Sequence, residues 1–120
     1  YNKAILYFEA ALAGDRRDFF TMSAMEGLGE AHFGNGNFED MEKCFEEADR
    51  MLSGMPEDVS SNSHRYRILL LRARARIASG ERNDLEVLLS GLKKYSHGDR
   101  MHEDEVSEIE DRVIELIATR

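Results

Sequence analysis

The chain has 120 residues, of which 42% are hydrophobic and 33% are charged, and its formal net charge is −8 at pH 7. This length predicts a single domain with a substantial core, because a chain of this size buries roughly 65% of its unfolded surface on folding. No apolar run approaches the roughly 20 residues of a transmembrane helix, which argues against a membrane-spanning protein. The single cysteine, Cys44, rules out an internal disulfide. With no apolar leader, we expect a cytoplasmic protein, and the start at Tyr1 rather than Met suggests a piece of a longer one.

Charge is distributed unevenly along the chain. Residues 1–58 contain 13 acidic and five basic residues, whereas residues 59–80 contain five arginines and no acidic residue. Residues 81–120 again have an excess of acidic residues, 11 against six basic ones. A net acidic chain disfavours general nucleic-acid binding, because phosphate contacts require a cationic footprint.

Apolar residues recur with a period near 3.6, and no segment alternates with a period of two, which predicts an all-α fold. The six predicted helical segments cover about 1–13, 18–33, 38–52, 61–79, 83–95 and 101–118. Glycines supply the positive φ angles of the turns between them, as in the sequence Gly-Asn-Gly-Asn at 34–37. Asn37 is the predicted N-cap of the third segment, and Asn83 with Glu86 resembles a capping box at the start of the fifth.

An internal repeat relates the first, third and fifth segments. Its copies are Ala4-x3-Phe8-x2-Ala11, Met41-x3-Phe45-x2-Ala48 and Leu85-x3-Leu89-x2-Leu92. The second copy is preceded by Met25-x2-Leu28-Gly29-x2-His32, in which the small Gly29 would let two antiparallel helices approach closely. In the fourth segment, Ala73 takes the corresponding small position. This periodicity indicates stacked helix pairs.

At these residues the chain resembles the tetratricopeptide repeat (TPR) family, whose motif reads W-x2-L-G-x2-Y, a turn, then A-x3-F-x2-A and proline. Residues 22–56 are the clearest copy, with Met25, His32 and Met41 in place of the Trp, Tyr and first Ala of the motif. Residues 66–95 form a degenerate copy. The intervals between copies are 37 and 44 residues, so the repeats are longer than the family's usual length of about 34.

The resemblance implies antiparallel helix-turn-helix repeats stacked as a short right-handed superhelix of about six helices, in one domain over residues 1–120. The predicted parts are the second helix of a truncated repeat (1–13), a repeat (18–56), a degenerate repeat (61–96) and a capping or next-repeat helix (100–120). Each stacked pair leaves an apolar face that only a neighbour covers. A homodimer through the truncated end would cover the first of these faces. The alternative architectures are another antiparallel helical array and an ordinary helical bundle.

No residue set carries the pattern of an active site, so we expect no enzyme activity, no cofactor and no metal. Catalysis requires positioned acid–base groups, a nucleophile or a metal ion. Cys44 has no histidine near it in sequence, and His32 takes the place of a core aromatic residue in the repeat. His97 and His102, although followed by three acidic residues, match no zinc-binding spacing and are interpreted as part of a solvated turn.

Five arginines between residues 65 and 76 form the most distinctive motif in the sequence. At 100° per residue, Arg65, Arg72 and Arg76 share one side of a helix, and Arg67 and Arg74 lie roughly opposite, with an apolar arc between the two sides. Two interpretations are open. The arginines either pair with carboxylates of adjacent helices, or form a basic strip that binds an acidic peptide or a phosphate.

The TPR resemblance also implies that the first helix of each repeat lines a concave surface that binds a partner. The predicted lining residues are Glu26, Glu30, Phe33, Arg67, Leu70, Arg74 and Ile77. We therefore expect a protein–protein interaction module that binds a peptide or protein segment without catalysis, with an acidic segment as one candidate partner. Glu26 and Glu30 fall where chaperone-binding members need cations, which argues against that activity. The alternative is a sensor or regulatory segment of a larger transcription regulator or signalling protein, since the repeats are long and both ends look cut.

Overall fold

The computed structural model describes residues 19–118 together with Ile5, Leu6 and Glu9. Within these residues the protein is all α-helical, with no β-strand, as the sequence predicts. The helices are α1 (Phe19–Gly34), α2 (Phe38–Leu52), α3 (Val59–Ser79), α4 (Leu85–Ser96) and α5 (Arg100–Ala118). None of the helices in the described part of the chain is both long enough and apolar enough to cross a bilayer. Most of the first predicted segment, 1–13, lies outside the described residues, so its place in a truncated repeat stays a prediction.

The chain divides into two compact units, Tyr1–His64 and Arg65–Arg120. The division falls inside α3, so residues 59–64 of this helix belong to the first unit and residues 65–79 to the second. Neither the repeat motif nor the charge distribution predicts a boundary at this point. The sequence places residues 61–79 in one segment and the whole chain in one domain.

Helices α1 and α2 of the first unit approach each other closely at Gly29. A Cβ atom on Gly29 would lie 2.5 Å from Cε1 of Phe45, so the aromatic ring fills the space that a side chain would need. Phe45 is fully buried, as is Met22 on α1. Interiors are packed as densely as organic crystals, so a ring in such a site has little freedom to move. The contact confirms the role that the repeat pattern predicts for Gly29.

A reciprocal cap begins α3. The Asp58 carboxylate accepts a hydrogen bond from the Ser61 backbone N–H at 2.8 Å, and the Ser61 hydroxyl accepts one from the Asp58 N–H at 3.1 Å. Such a pair satisfies two donors that the first helical turn leaves without partners. For this reason α3 begins at Val59, two residues before the predicted start.

The core of the second unit is built from α3, α4 and α5. Its buried residues are Tyr66, Leu70, Ala73, Leu85, Leu88, Leu92, Val106, Ile109 and Val113. Leu69, Ile77 and Leu116 are partly buried and pack against this core. These residues include the apolar arc predicted between the arginines of α3. Helical periodicity therefore identifies the inward side of α3 correctly.

The predicted start of α4, like that of α3, differs by two residues from the structure. Helix α4 begins at Leu85, its N-cap is Asp84 in a left-handed conformation with φ 63°, and no side chain makes a capping hydrogen bond there. Asn83 therefore precedes the cap position, and the predicted capping box of Asn83 with Glu86 does not form. By contrast, Asn37 is the N-cap of α2 as predicted, although its side chain makes no capping hydrogen bond.

Candidate interaction surface

In the first unit, the predicted surface residue Glu26 contacts the beginning of α3. Its carboxylate pairs with the His64 ring, and the two side chains are only 14% and 22% exposed, respectively. The edge of the Phe19 ring meets the same imidazole, with ring centroids 5.2 Å apart. Most of the Glu26 carboxylate is therefore engaged inside its own unit.

Phe33 and Glu30 lie further along α1, near the turn to α2. The Phe33 ring packs against Phe38 at the start of α2, with centroids 5.8 Å apart and the rings tilted by 34°. Both aromatic side chains are partly buried, as is Glu30. The aromatic pair holds the two ends of the turn together and leaves part of each ring accessible.

In the second unit, the four predicted surface residues of α3 have very different exposures. Leu70 is 1% exposed and belongs to the core, so it offers no surface to a partner. Ile77 packs against the core from its edge and is partly accessible. Arg67 is exposed, and the side chain of Arg74 is 39% exposed. Arg67, Arg74 and Ile77 thus remain as accessible candidates.

Arg74 and Arg76 each form an ion pair with a carboxylate inside the second unit. Nη2 of Arg74 lies 3.6 Å from a carboxylate oxygen of Glu105 on α5, and Nη2 of Arg76 lies 3.9 Å from one of Asp84. Solvent-accessible pairs of this kind contribute about 0–1 kcal/mol each. Arg74 and Arg76 therefore follow the first interpretation, pairing with carboxylates nearby, although the weak Arg74 pair leaves its guanidinium able to exchange partners.

Tyr66 joins α3 to α5 through contacts that the sequence does not reveal. Its ring stacks on the His102 imidazole, with centroids 4.0 Å apart and an interplanar angle of 18°. Its hydroxyl donates a hydrogen bond to Glu105 at 3.0 Å and lies 3.3 Å from the His102 carbonyl oxygen. Burial, and then the hydrogen bond to Glu105, raises the pKa of the Tyr66 phenol well above its usual value. Glu105 therefore serves both Tyr66 and Arg74.

Asp99 and His102 stabilise the beginning of α5. Asp99 accepts a hydrogen bond from the His102 backbone N–H at 3.0 Å, and its other carboxylate oxygen lies 3.5 Å from Nδ1 of the same residue. No group of three or more His, Cys, Asp or Glu residues in the described part of the chain is arranged to hold a metal ion. Asp99 therefore acts as a cap at the beginning of α5.

Cys44 is buried on α2, where its thiol is held in the neutral form. Burial raises its pKa to about 11, and the negative charges of Asp40 and Glu9 add to the rise. The thiolate is the nucleophilic and metal-binding form of cysteine. A raised pKa is therefore the opposite of what a reactive cysteine needs.

An open depression of about 380 Å³ lies between the C-terminal parts of α3 and α5 and is lined by Ile77, Leu116, Arg112 and Glu115. Ile77 and Leu116 supply the apolar part, while Arg112 and Glu115 are exposed charged residues. Arg112 also pairs with Glu108 on its own helix at 3.7 Å, with both side chains more than half exposed. Of these lining residues, the sequence predicts only Ile77. An apolar hollow with a few charged groups beside it is suited to hold a side chain of a ligand.

Comparison with models of known protein families, with curated proteins and with solved structures gives no match to this chain. The geometry of the described residues is therefore the basis for a functional proposal. In the second unit this geometry consists of the depression and the neighbouring arginines of α3. In the first unit, it consists of the accessible part of the Phe33–Phe38 pair.

Proposed function

We propose that the chain is a protein–protein interaction module of the TPR type, which binds a peptide or protein segment and performs no catalysis. The observation that carries this proposal is the open depression in the second unit, where Ile77 and Leu116 are accessible between charged side chains. Recognition sites for peptides combine apolar hollows for anchoring side chains with polar groups that fix orientation. The depression has both components.

The arginines of α3 extend this surface. Arg74 precedes Ile77 by three residues, and Arg67 precedes Arg74 by seven, so the three side chains follow one side of the helix. The Arg74–Glu105 pair is 39% and 31% exposed, and an acidic side chain of a partner can replace Glu105 at little energetic cost. The proposed ligand therefore places an aliphatic side chain in the depression and an acidic residue beside Arg74.

The close helix approaches support the TPR type of architecture. Gly29, which packs against Phe45, occupies the repeat position at which the family has a small residue. Gly91 on α4 lies similarly close to Leu69 on α3. The proposal includes a right-handed superhelix of six helices. It also includes a cytoplasmic location, with which the buried free thiol of Cys44 is consistent.

Affinity capture from a lysate of the source cells, read by mass spectrometry, tests the proposal. The variant Arg67→Glu/Arg74→Glu should lose a protein that the wild-type chain retains. A milder variant, Arg67→Gln/Arg74→Gln, removes the charges without placing an acid next to Glu105. A matched control, Arg82→Glu/Lys94→Glu, makes the same change of net charge at exposed positions that do not line the depression and should behave as wild type.

A second pair of changes tests the depression itself. Exchanging the charges in Arg112→Glu/Glu115→Arg keeps the net charge constant and should weaken capture of the same protein. Circular dichroism spectra and melting temperatures close to wild type would show that each variant is folded. Equal capture by all variants, or no specific capture by wild type, would contradict the proposed surface. It would favour the interpretation in which the arginines only pair with carboxylates of adjacent helices.

A further inference from the structure

The turn between α1 and α2 contains an asparagine followed by a glycine, Asn35–Gly36, and both residues are exposed. We propose that this dipeptide is a site of spontaneous covalent modification, at which Asn35 loses its side-chain amide and becomes aspartate or isoaspartate. The co-reactant is water. The proposal does not depend on the interaction surface of the second unit.

The reaction proceeds in two balanced steps. In the first, the deprotonated backbone nitrogen of Gly36 attacks the side-chain carbonyl carbon of Asn35, a C–N bond forms, and the side-chain nitrogen leaves as ammonia. In the second, water adds to either carbonyl of the resulting five-membered succinimide and opens the ring. Opening on one side gives aspartate, and opening on the other gives isoaspartate, in which the backbone continues through the former side chain.

The structure around Gly36 favours the first step. Gly36 has φ +77° and no Cβ atom, so no side chain of its own shields its backbone nitrogen from the Asn35 side chain. The Gly36 N–H donates a hydrogen bond to the Phe33 carbonyl at 3.0 Å, and this bond must open before attack. Exposed turns open locally at much lower free energy than buried elements do.

Other described asparagines are in less favourable settings. Asn37 is followed by Phe38, whose ring packs on Phe33 and hinders the approach to its backbone nitrogen. Asn62 lies inside α3, where the next backbone amide is held in the helix. Asn83 is followed by Asp84, a residue with a bulkier side chain than glycine and a negative charge that opposes deprotonation of its amide. Reaction should therefore concentrate at Asn35.

The product adds a negative charge where the first unit tolerates it poorly. The new carboxylate lies just after the C-terminus of α1, where the helix dipole favours cations. It is also close in sequence to Glu39 and Asp40 in the first turn of α2. Isoaspartate additionally lengthens the backbone of a turn that joins two closely packed helices. Modified chains should therefore melt at a lower temperature than unmodified chains.

Incubation of the full chain at neutral and mildly alkaline pH tests the inference. Intact mass should increase by the difference between a hydroxyl and an amino group, and peptide mapping should place the change at Asn35. Isoaspartate can be counted with isoaspartyl methyltransferase and labelled S-adenosylmethionine. The rate should rise in proportion to hydroxide concentration, because the attacking nitrogen is deprotonated.

Two matched variants give the controls. Asn35→Gln should abolish the change, because its longer side chain would have to form a less favourable six-membered ring, whereas Asn37→Gln should leave it intact. A free peptide covering residues 33–38 serves as the unfolded reference. The inference is overturned if the peptide reacts while Asn35 in the folded chain does not, or if Asn37, Asn62 or Asn83 reacts as fast as Asn35.

Discussion

The ring of Phe45 occupies the space above Gly29 where a side chain would otherwise project. A Cβ atom on Gly29 would lie 2.5 Å from Cε1 and 2.7 Å from Cδ1 of this ring. Because Phe45 is 0% exposed, the ring cannot turn out into solvent to make room. The packing of α1 on α2 therefore depends on a hydrogen atom at position 29.

The change Gly29→Ala should lower the free energy of unfolding by about 1–3 kcal/mol, the range observed for overpacked cores. The measurement is urea or thermal unfolding followed by circular dichroism. A matched control is Gly91→Ala, whose Cβ would lie 2.8 Å from Cδ1 of Leu69. Leu69 is only partly buried and can rotate away, whereas the gain of about 1 kcal/mol from alanine over glycine within a helix applies to both variants. Equal losses in the two variants would contradict this account of Gly29.

Removing the Tyr66 hydroxyl should destabilise the second unit. The change Tyr66→Phe keeps the stacking on His102 but deletes the hydrogen bond to Glu105. A hydrogen bond to a charged group stabilises a protein more than one between neutral groups, but Glu105 is partly solvated. We therefore expect the free energy of unfolding to fall by about 1–2 kcal/mol. Chemical denaturation at neutral pH measures this free energy. An unchanged value would show that water takes the place of the Tyr66 hydroxyl as the hydrogen-bond donor to Glu105.

The difference between wild type and Tyr66→Phe should also depend on pH. The pKa of Tyr66 is raised in the folded chain, and a phenol in the unfolded chain titrates near about 10. The extra stability of wild type should therefore be constant below pH about 10 and decline as pH rises above it, because only the unfolded state ionises readily there. Unfolding measured across this range checks the sign. A difference that grows with pH would contradict the burial of the phenol.

Cys44 should contribute a separate alkaline loss of stability at lower pH. Its folded pKa is about 11, whereas an unfolded cysteine titrates near about 8.5. Wild type should therefore lose stability between these two values, and Cys44→Ala should lack this part of the pH dependence. As a second readout, alkylation of Cys44 by iodoacetamide at neutral pH should be slow in the folded chain and rapid in urea. Rapid alkylation of the folded chain would show an accessible thiolate instead.

A double-mutant cycle should separate the two roles of Glu105. The coupling free energy between Arg74→Ala and Glu105→Ala is expected within about 0–1 kcal/mol, as for other solvent-accessible ion pairs. The coupling between Tyr66→Phe and Glu105→Ala should be larger, because that hydrogen bond is partly buried. Unfolding free energies of the single and double variants give both values. A strong Arg74 coupling would mean that Arg74 is not available to a partner.

Part of the candidate surface could be anticipated from the repeat pattern. Ile77 and Leu70 both fall on the apolar arc of α3, and periodicity alone assigns them to the same side. In the structure Leu70 is buried and Ile77 reaches the open depression. Arg112, Glu115 and Leu116 complete the hollow, yet nothing in the local sequence of α5 connects them with Ile77. Whether these residues meet Ile77 depends on the axial offset between α3 and α5.

The helical class, the inward side of α3 and the glycine turn at Gly36 follow from the amino-acid sequence alone. These features arise from interactions within a few residues, such as a positive φ or a 3.6-residue apolar period. The packing of the helices, by contrast, brings Tyr66 to Glu105, 39 residues away, and lets Arg74 share this carboxylate. Such contacts depend on the register between packed helices, which is set jointly by many side chains and is not encoded in any local pattern.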